Sequence, residues 1–365
     1  MEVLYENLLS TTWPQVVMWI IGGVLIYLAI ARDMEPSLLL PMGFGAILVN
    51  LPGSGAKAVI DHLFTIGIDS HELMPLLLFI GIGAMIDFKP LLTNPKLMLF
   101  GAAAQFGIFF TLCMASLFGF ELNDASSVAI IGAADGPTAI YVSNMLNSNY
   151  TAAIMVAAYS YMALVPMVQP PIIKLCTTRK ERLIRMNNAS GKKVSKLTEI
   201  LFPIMVTVIV GLVAPDAVAL IGFLMFGNLI RVCGVLDSLS ETAQKVLANL
   251  ITILLGITIA SRMTADEFLQ VETLLIMSMG LVAFVVDTFG GIMLAKLMNL
   301  FCKEKINPMI GAAGISAFPM SARVVHKMGL AEDNQNFLLM HAIGVNVSGQ
   351  IASVIAGGLI LALVK

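Results

Sequence analysis

The residues best placed to do chemistry lie between Gly132 and Asn144, GAADGPTAIYVSN, where an acid, two glycines and a proline interrupt an apolar segment. Ala125 to Ala134 is apolar apart from two serines, and Thr138 to Leu146 carries only small, apolar and weakly polar groups, so Asp135 falls at membrane depth if the segment enters a bilayer. A central Asp is penalised by roughly 2.5–3.5 kcal/mol on insertion scales, which makes such a residue a candidate for ion or proton handling. Gly136-Pro137 removes one amide donor and breaks helical geometry, leaving carbonyls of the preceding turn open to a cation. A carboxylate beside unwound backbone is how transporters build sodium sites. Sodium and a proton then compete for Asp135. The plainer reading is a buried acid satisfied by neighbouring amides.

A second stretch answers the first. Gly311 to Arg323, GAAGISAFPMSAR, lies about 179 residues later, opens again with GAA and is again broken by glycine and proline (Gly314, Pro319). Ser316 follows that break and should face Asp135 if the two segments cross. Its hydroxyl is a hard-oxygen ligand for sodium, although a serine in a membrane helix also bonds its own i−4 carbonyl. Tyr161, with Tyr159 nearby, is either a proton relay or an amphipathic side chain bonding across helices. Asn50, Asn228 and Asn346 are amides at depth that serve either packing or sodium ligation. Asp287 is a further acid in an apolar run, with a capped or paired structural role as its plainer use. His326 and His341 are not spaced as a metal site.

The elements that position these groups are membrane helices. With 58% hydrophobic residues, 12% charged and a mean hydropathy of +0.91, the 365-residue chain is outside the ordinary globular range and reads as an all-α integral membrane protein. No basic patch interleaves with aromatics, so nothing points to nucleic acid. The four cysteines, Cys113, Cys176, Cys233 and Cys302, lack metal spacing and read as packing residues. The N-terminus is acidic where a cleaved leader needs basic residues, so the run Val16 to Ala31 is expected to stay.

A span needs about 20 apolar residues. Six segments precede a basic stretch from Lys174 to Lys196: Pro14 to Ala31, Ser37 to Leu51, Leu73 to Ile86, Leu97 to Phe120, the broken Ala125 to Leu146, and Tyr150 to Leu175. Six follow it: Glu199 to Ala214, Asp216 to Cys233, Val246 to Ala260, Leu274 to Phe301, the broken Met309 to Val325, and Phe337 to Val364. The chain thus divides into residues 1–175, a linker at 176–197, and 198–365.

The halves match beyond the breaks. GFGAILVNL lies against IGFLMFGNL and places Asn50 on Asn228, while Pro36 falls near Pro215 and Gly81 near Gly256, at offsets of about 178. MVAAYSYMAL meets MHAIGVNVSG and pairs Tyr161 with Asn346. If each broken segment spans, the repeats are parallel; if each re-enters, they are inverted. With the basic stretch inside, the re-entrant arrangement leaves only Lys57, Arg262 and Lys365 of the 21 Lys and Arg outside, whereas the spanning one leaves about six. We therefore expect two inverted repeats, each of about five transmembrane helices plus a broken, re-entrant helix, crossing near the midplane, with both termini outside.

At GAADGPTAI, from Gly132 to Ile140, the chain resembles the β subunits of biotin-dependent, sodium-pumping decarboxylases, a family that includes the oxaloacetate, methylmalonyl-CoA and glutaconyl-CoA enzymes. NPMIGAAGISAFPMSARV from Asn307, QNFLLMHAIGVNVSG from Gln335 and PMGFGAILVNLP from Pro41 carry the same resemblance over nearly the whole chain. The chain looks short beside the oxaloacetate type, the missing part lying before Asp135, which favours an acyl-CoA type. The resemblance implies a subunit of the bacterial cytoplasmic membrane that decarboxylates carboxybiotin and couples this to Na+ export. It implies a biotin carrier subunit, a carboxyltransferase α subunit and a small membrane-anchored accessory subunit as partners, no biotin attached to this chain, and a homo-oligomer, with a trimer among the options. It places ion and proton roles on Asp135, Tyr161, Asn307, Gly311, Ser316 and Arg323, and gives Arg323 the carboxylate of carboxybiotin to hold. Residue chemistry alone leaves two other classes open: a sodium/proton antiporter or sodium-solute symporter without chemistry, and a channel-like subunit.

Overall fold

The computed structural model describes residues 9–32, 36–70, 72–186, 194–302 and 304–364. Residues 1–8, on which the leader reading rests, the linker centre at 187–193 and Lys365 lie outside the described residues.

Every regular element among the described residues is helical. Seven helices among them are long and apolar enough to cross a membrane: α1 (Trp13–Ala31), α5 (Pro95–Leu117), α9 (Lys196–Val213), α10 (Pro215–Cys233), α11 (Asp237–Arg262), α12 (Val271–Phe301) and α14 (Leu339–Val364). Between α1 and α5 come the apolar α2 (Pro36–Val49), which at 14 residues is shorter than a full span, then α3 (Ala56–Phe64) and α4 (Leu73–Met85). The helix α8 (Thr151–Cys176) carries Pro166, Pro170 and Pro171 and bends by 65°. Its proline ring clashes and missing donors account for the bend.

Two boundaries differ from expectation. The segment expected from Leu73 is the second arm of a bent pair whose first arm, Ala56–Asp69, ends in a π-helical turn at Thr65–Asp69, the two arms lying at 64°. The polar run Asp69-Ser70-His71-Glu72 reads as a loop and masks the first arm. The segment expected from Val246 starts at Asp237 and contains a second π-helical turn, Thr242–Leu247.

The packing exchanges elements between the halves. Helix α2 lies on α11, and α4 on α10. In the second contact the backbones nearly touch: a Cβ on Gly83 would stand 1.8 Å from the Leu224 carbonyl, and one on Gly227 would stand 2.0 Å from that of Ile80. Only glycine permits this approach, which transmembrane helices use in place of a hydrophobic driving force.

Candidate functional site

Two interrupted segments face each other inside the bundle. In the first, α6 (Leu122–Ala129) runs into a 3-10 turn, Ile130–Ala133, breaks at Ala134 in the left-handed region (φ 51°), and restarts as α7 (Gly136–Met145). Asp135 is the N-cap of α7, and Pro137 stands in its first turn, where its missing amide costs nothing. In the second, a 3-10 turn at Pro308–Gly314 ends in extended backbone at Ile315 and leads to α13 (Met320–Glu332).

Each segment closes on itself. The Asp124 carboxylate, at the start of α6, accepts from Ser148 Oγ at 2.7 Å and from the Asn149 amide and side chain at 2.9 and 3.1 Å, so the ends of the first segment meet. The ends of the second meet on the Arg182 carbonyl, which accepts from Asn307 Nδ2 and Asn336 Nδ2, both at 2.9 Å. Glu332, at the end of α13, receives the Arg182 guanidinium at 2.6 Å. Both are hairpins.

The two breaks meet where Ala134 packs with Ile315 and Ala317, and a hydrogen bond runs between them from the Ser316 amide to the Ala133 carbonyl at 3.0 Å. Beside that joint Asp135 is only 2% exposed. Its Oδ2 accepts from Thr138 Oγ1, Gln350 Nε2 and Ser353 Oγ, each at 2.8 Å, whereas Oδ1 accepts one long contact, from the Thr138 amide at 3.5 Å. The acid is therefore saturated on one oxygen and open on the other.

Helix α14 supplies the third side of the site. Asn346, Gln350 and Ser353 recur at helical i, i+4, i+7 spacing and share a face. Asn346 Nδ2 donates to the Ile315 carbonyl at 2.6 Å, while its Oδ1, with the side chain fully buried, has no partner. Ser316 Oγ donates to the Gly349 carbonyl at 2.9 Å. The Tyr159 ring lies against Gly136, where a Cβ would stand 2.6 Å from the hydroxyl-bearing carbon, and its buried hydroxyl has no partner. Tyr159, whose hydroxyl is without a partner, lies within reach of the Asp135 charge, and Asn346 and Ser316 join α14 to the second break. Such hard-oxygen groups suit an alkali cation, and no cluster of three His, Cys, Asp or Glu occurs among the described residues.

Expected site residues fall into two groups. Asp135, Ser316 and Asn346 come together. Tyr161 does not face Asp135: its hydroxyl donates to the Met277 carbonyl and its ring packs on Gly280 of α12. Asn307 spends Oδ1 on the Met309 amide at 3.0 Å and its Nδ2 on the Arg182 and Ile184 carbonyls, tying the second hairpin to the linker. Gly311 meets Gly291 of α12, where a Cβ would stand 2.1 Å from the opposing carbonyl. Asn50 donates to the Met263 carbonyl at 2.7 Å and accepts from the Ala265 amide at 2.8 Å, and Asn228 donates to the Gly83 and Ile86 carbonyls at 3.2 and 2.9 Å. Both hold the ends of the opposite half's helices. Arg323 is exposed on α13, and no side-chain partner stands against it among the described residues. Asp287 accepts from the Gly107 amide, freed by the kink of α5 at Gln105. Gln350, Ser353 and Thr138 were absent from the sequence-based candidates; the shared face with Asn346 is the signal that marks the first two.

A family model described as Na+-transporting oxaloacetate decarboxylase beta subunit matches residues 14–364. The methylmalonyl-CoA decarboxylase subunit beta of Propionigenium modestum is 47% identical over 374 residues, covering 95% of this chain and 94% of its own. The oxaloacetate decarboxylase beta chain of Haemophilus ducreyi is 44% identical over 419 residues, covering 97% of this chain and 96% of its own. The glutaconyl-CoA decarboxylase subunit beta of Acidaminococcus fermentans is 46% identical over 361 residues, covering 98% of this chain and 96% of its own.

Proposed function

The chain belongs to the family of Na+-transporting decarboxylase beta subunits, and from that premise we propose that it decarboxylates carboxybiotin delivered by a separate carrier subunit and couples the step to Na+ export. The observation that carries this reading is Asp135, buried at the joint of two hairpins with one oxygen open. Sodium takes that oxygen with the Asn346 Oδ1 and Ser316 Oγ atoms beside it, and a proton takes the same place when sodium leaves. Tyr159 is the hydroxyl best placed to pass the proton on. Asn307 and Gly311 act by positioning: the first fixes the hairpin to the linker, the second seats it on α12.

The chemistry balances with one proton. The N–C bond of carboxybiotin breaks, CO2 departs, and the ring nitrogen takes H+. Arg323, exposed on the same hairpin as Ser316, holds the incoming carboxylate. Asp135 releases its proton as sodium binds, so uptake of the ion and consumption of the proton proceed together.

An inverted arrangement of the repeats supports alternating access. Two features favour it: both interrupted segments close as hairpins, and the α2–α11 and α4–α10 contacts interchange under exchange of the halves. The linker then lies on the cytoplasmic face of the bacterial inner membrane, where the carboxyltransferase α subunit and carrier approach. A small membrane-anchored accessory subunit and a homo-oligomer, with a trimer among the options, complete this reading. An acyl-CoA donor is favoured over oxaloacetate, because the alignment with the Haemophilus ducreyi chain extends over 419 positions against 365 residues here, whereas that with the Acidaminococcus fermentans chain extends over 361.

The experiment is reconstitution of the complete complex in proteoliposomes with each donor, with and without avidin. The proposal expects avidin-sensitive, Na+-dependent CO2 release and 22Na+ movement, both lost in Asp135→Asn. Gradient-driven 22Na+ transport by this chain alone, indifferent to avidin, would instead make it an antiporter or symporter.

A further inference from the structure

A polar cavity of about 440 Å3 opens at the C-terminal end of α7, lined among others by Phe64, Asp69, Asn144, Asn147, Ser148 and Arg262. It lies at the far end of α7 from Asp135. A helix of 10 residues is about 15 Å long, so the cavity and the acid are two ends of one short rod. Polar groups recur along that rod at every third residue, Asp135, Thr138, Tyr141 and Asn144, and residues three apart are neighbours on a helix surface.

Glu72 stands where this series ends. It occupies the break between the π-helical turn and α4, with its backbone in the left-handed region (φ 56°), an unfavourable conformation for a residue with a long side chain. The side chain caps nothing, is only 4% exposed, and has Oε2 without a partner. The carboxylate points toward Asn144, which lines the cavity and whose Nδ2 is likewise without a partner. Tyr141, one step back toward Asp135, lies within reach of the same carboxylate's charge and donates its hydroxyl to the Asp216 carbonyl at 2.8 Å. Arg262, the one basic group among the described lining residues, is engaged by the Phe64 ring at 4.4 Å and by Glu267 at 3.8 Å. Asp69 is exposed at the rim. Among the described residues the lining offers carboxylate, amide and hydroxyl oxygens, which are the donors of a hard cation.

We propose that this cavity is the outer mouth of the sodium route, and that Glu72 with Asn144 forms a second cation-binding station between Asp135 and that mouth. The inference rests on the sodium reading of Asp135 and extends it. The mouth belongs to the first hairpin, whereas the linker is tied to the second, so the two hairpins serve opposite ends of the route. Sodium leaving Asp135 passes to a second acid along α7 before it meets water. Sodium already present outside occupies that station and opposes export.

The test uses the complete complex in proteoliposomes, with Na+ set independently on the two sides. Wild type, Glu72→Gln and Glu72→Asp are compared for activation by Na+ on the linker side and inhibition by Na+ on the opposite side. Glu72→Gln should raise the half-inhibitory outer Na+ concentration about tenfold, leave inner activation within about twofold, and be reversed in large part by Glu72→Asp. Unchanged outer inhibition, or equal shifts on both sides, overturns the station while leaving Asp135 in place; survival of Na+ dependence in Asp135→Asn overturns the sodium reading itself. Should Glu72→Gln fail to assemble, Asn147→Cys in a background with Cys113, Cys176, Cys233 and Cys302 replaced by serine keeps the question open to measurement. A membrane-impermeant cationic thiol reagent added on the outer side should then block 22Na+ export. Export that continues after full labelling rejects the mouth.

Discussion

The two hairpins share a plan and differ in what they present to the joint. The first brings an acid, Asp135, held by Thr138 on its own helix and by Gln350 and Ser353 on α14. The second brings no acid at all, only backbone groups and Ser316, and its base is fastened to the linker through Asn307, Asn336, Arg182 and Arg185. The two interrupted segments are built alike and differ in their side chains. One holds an acid within the bundle, while the other runs from that point to the linker and carries the exposed Arg323. A residue deleted from the first should change ion handling, and one deleted from the second should change assembly and coupling.

The sharpest way to break this comparison is Asp135→Asn. An amide of the same shape cannot ionise, so Na+-dependent decarboxylation should fall by at least about 100-fold while the complex still assembles, as one lost charge-assisted contact of about 3 kcal/mol corresponds to that factor. Activity within tenfold of wild type would place the ion elsewhere. Next is Asn307→Ala, which removes three hydrogen bonds at a fully buried side chain. Stranding those partners should cost about 3 kcal/mol of stability, read as a lower unfolding midpoint in urea with the Na+ concentration for half activation unchanged. A shifted Na+ dependence with intact stability would reverse the division of duties.

Asn346→Ala sharpens the boundary, because this side chain reaches the second hairpin from the same face of α14 that holds Asp135 through Gln350 and Ser353. Loss of its unpartnered oxygen should raise the half-activating Na+ concentration about tenfold, equivalent to about 1.4 kcal/mol, and measured 22Na+ binding checks it. The tyrosine pair should separate next. Tyr159→Phe is expected to slow turnover severalfold, while Tyr161→Phe, which loses a bond to the Met277 carbonyl, should change unfolding by about 1 kcal/mol and turnover little. Equal effects in the two variants would merge their roles.

The smallest effect is expected at the linker. The Arg185 guanidinium beside Asp333 holds that carboxyl below its ordinary value. A depressed acid contributes above its unfolded value and loses that contribution as pH falls through the folded one, so the contact should hold from neutrality down to about pH 4 and weaken only below it. Hydrogen exchange over residues 179–186, corrected for intrinsic pH dependence, reads this, and loosening near pH 6 would contradict it. Added salt should weaken the same exposed pair.

Asp135, both interruptions and the match between the halves were legible because acids, glycines and prolines stand out against apolar sequence. What surrounds Asp135 was less so. Gln350 and Ser353 lie in a run that reads as an ordinary apolar span, and only helix rotation turns them inward with Asn346. Tyr159 and Tyr161 are two residues apart, which on a helix points them to nearly opposite sides. Sequence could nominate the pair but not decide which ring met the acid. Asn50 and Asn228 stood out in the sequence as amides at depth; their use as clasps on the opposite half's helix ends depends on contacts made about 140 to 215 residues away. Glu72 went unnoticed because a polar quartet between apolar runs looks like a loop wherever it sits.

The bond from Ser316 to Ala133 has a mechanical meaning. It ties the arm bearing Asp135 to the arm bearing Arg323 by a main-chain amide, with no side chain for mutation to erase. Any rocking of one arm against the other must stretch or re-form this link, so it works as a clutch: engaged, it keeps the two arms in step, and released, it lets each turn alone. If the chain pumps as proposed, slipping of this part costs coupling, and leakage of sodium without CO2 release would be the sound of it.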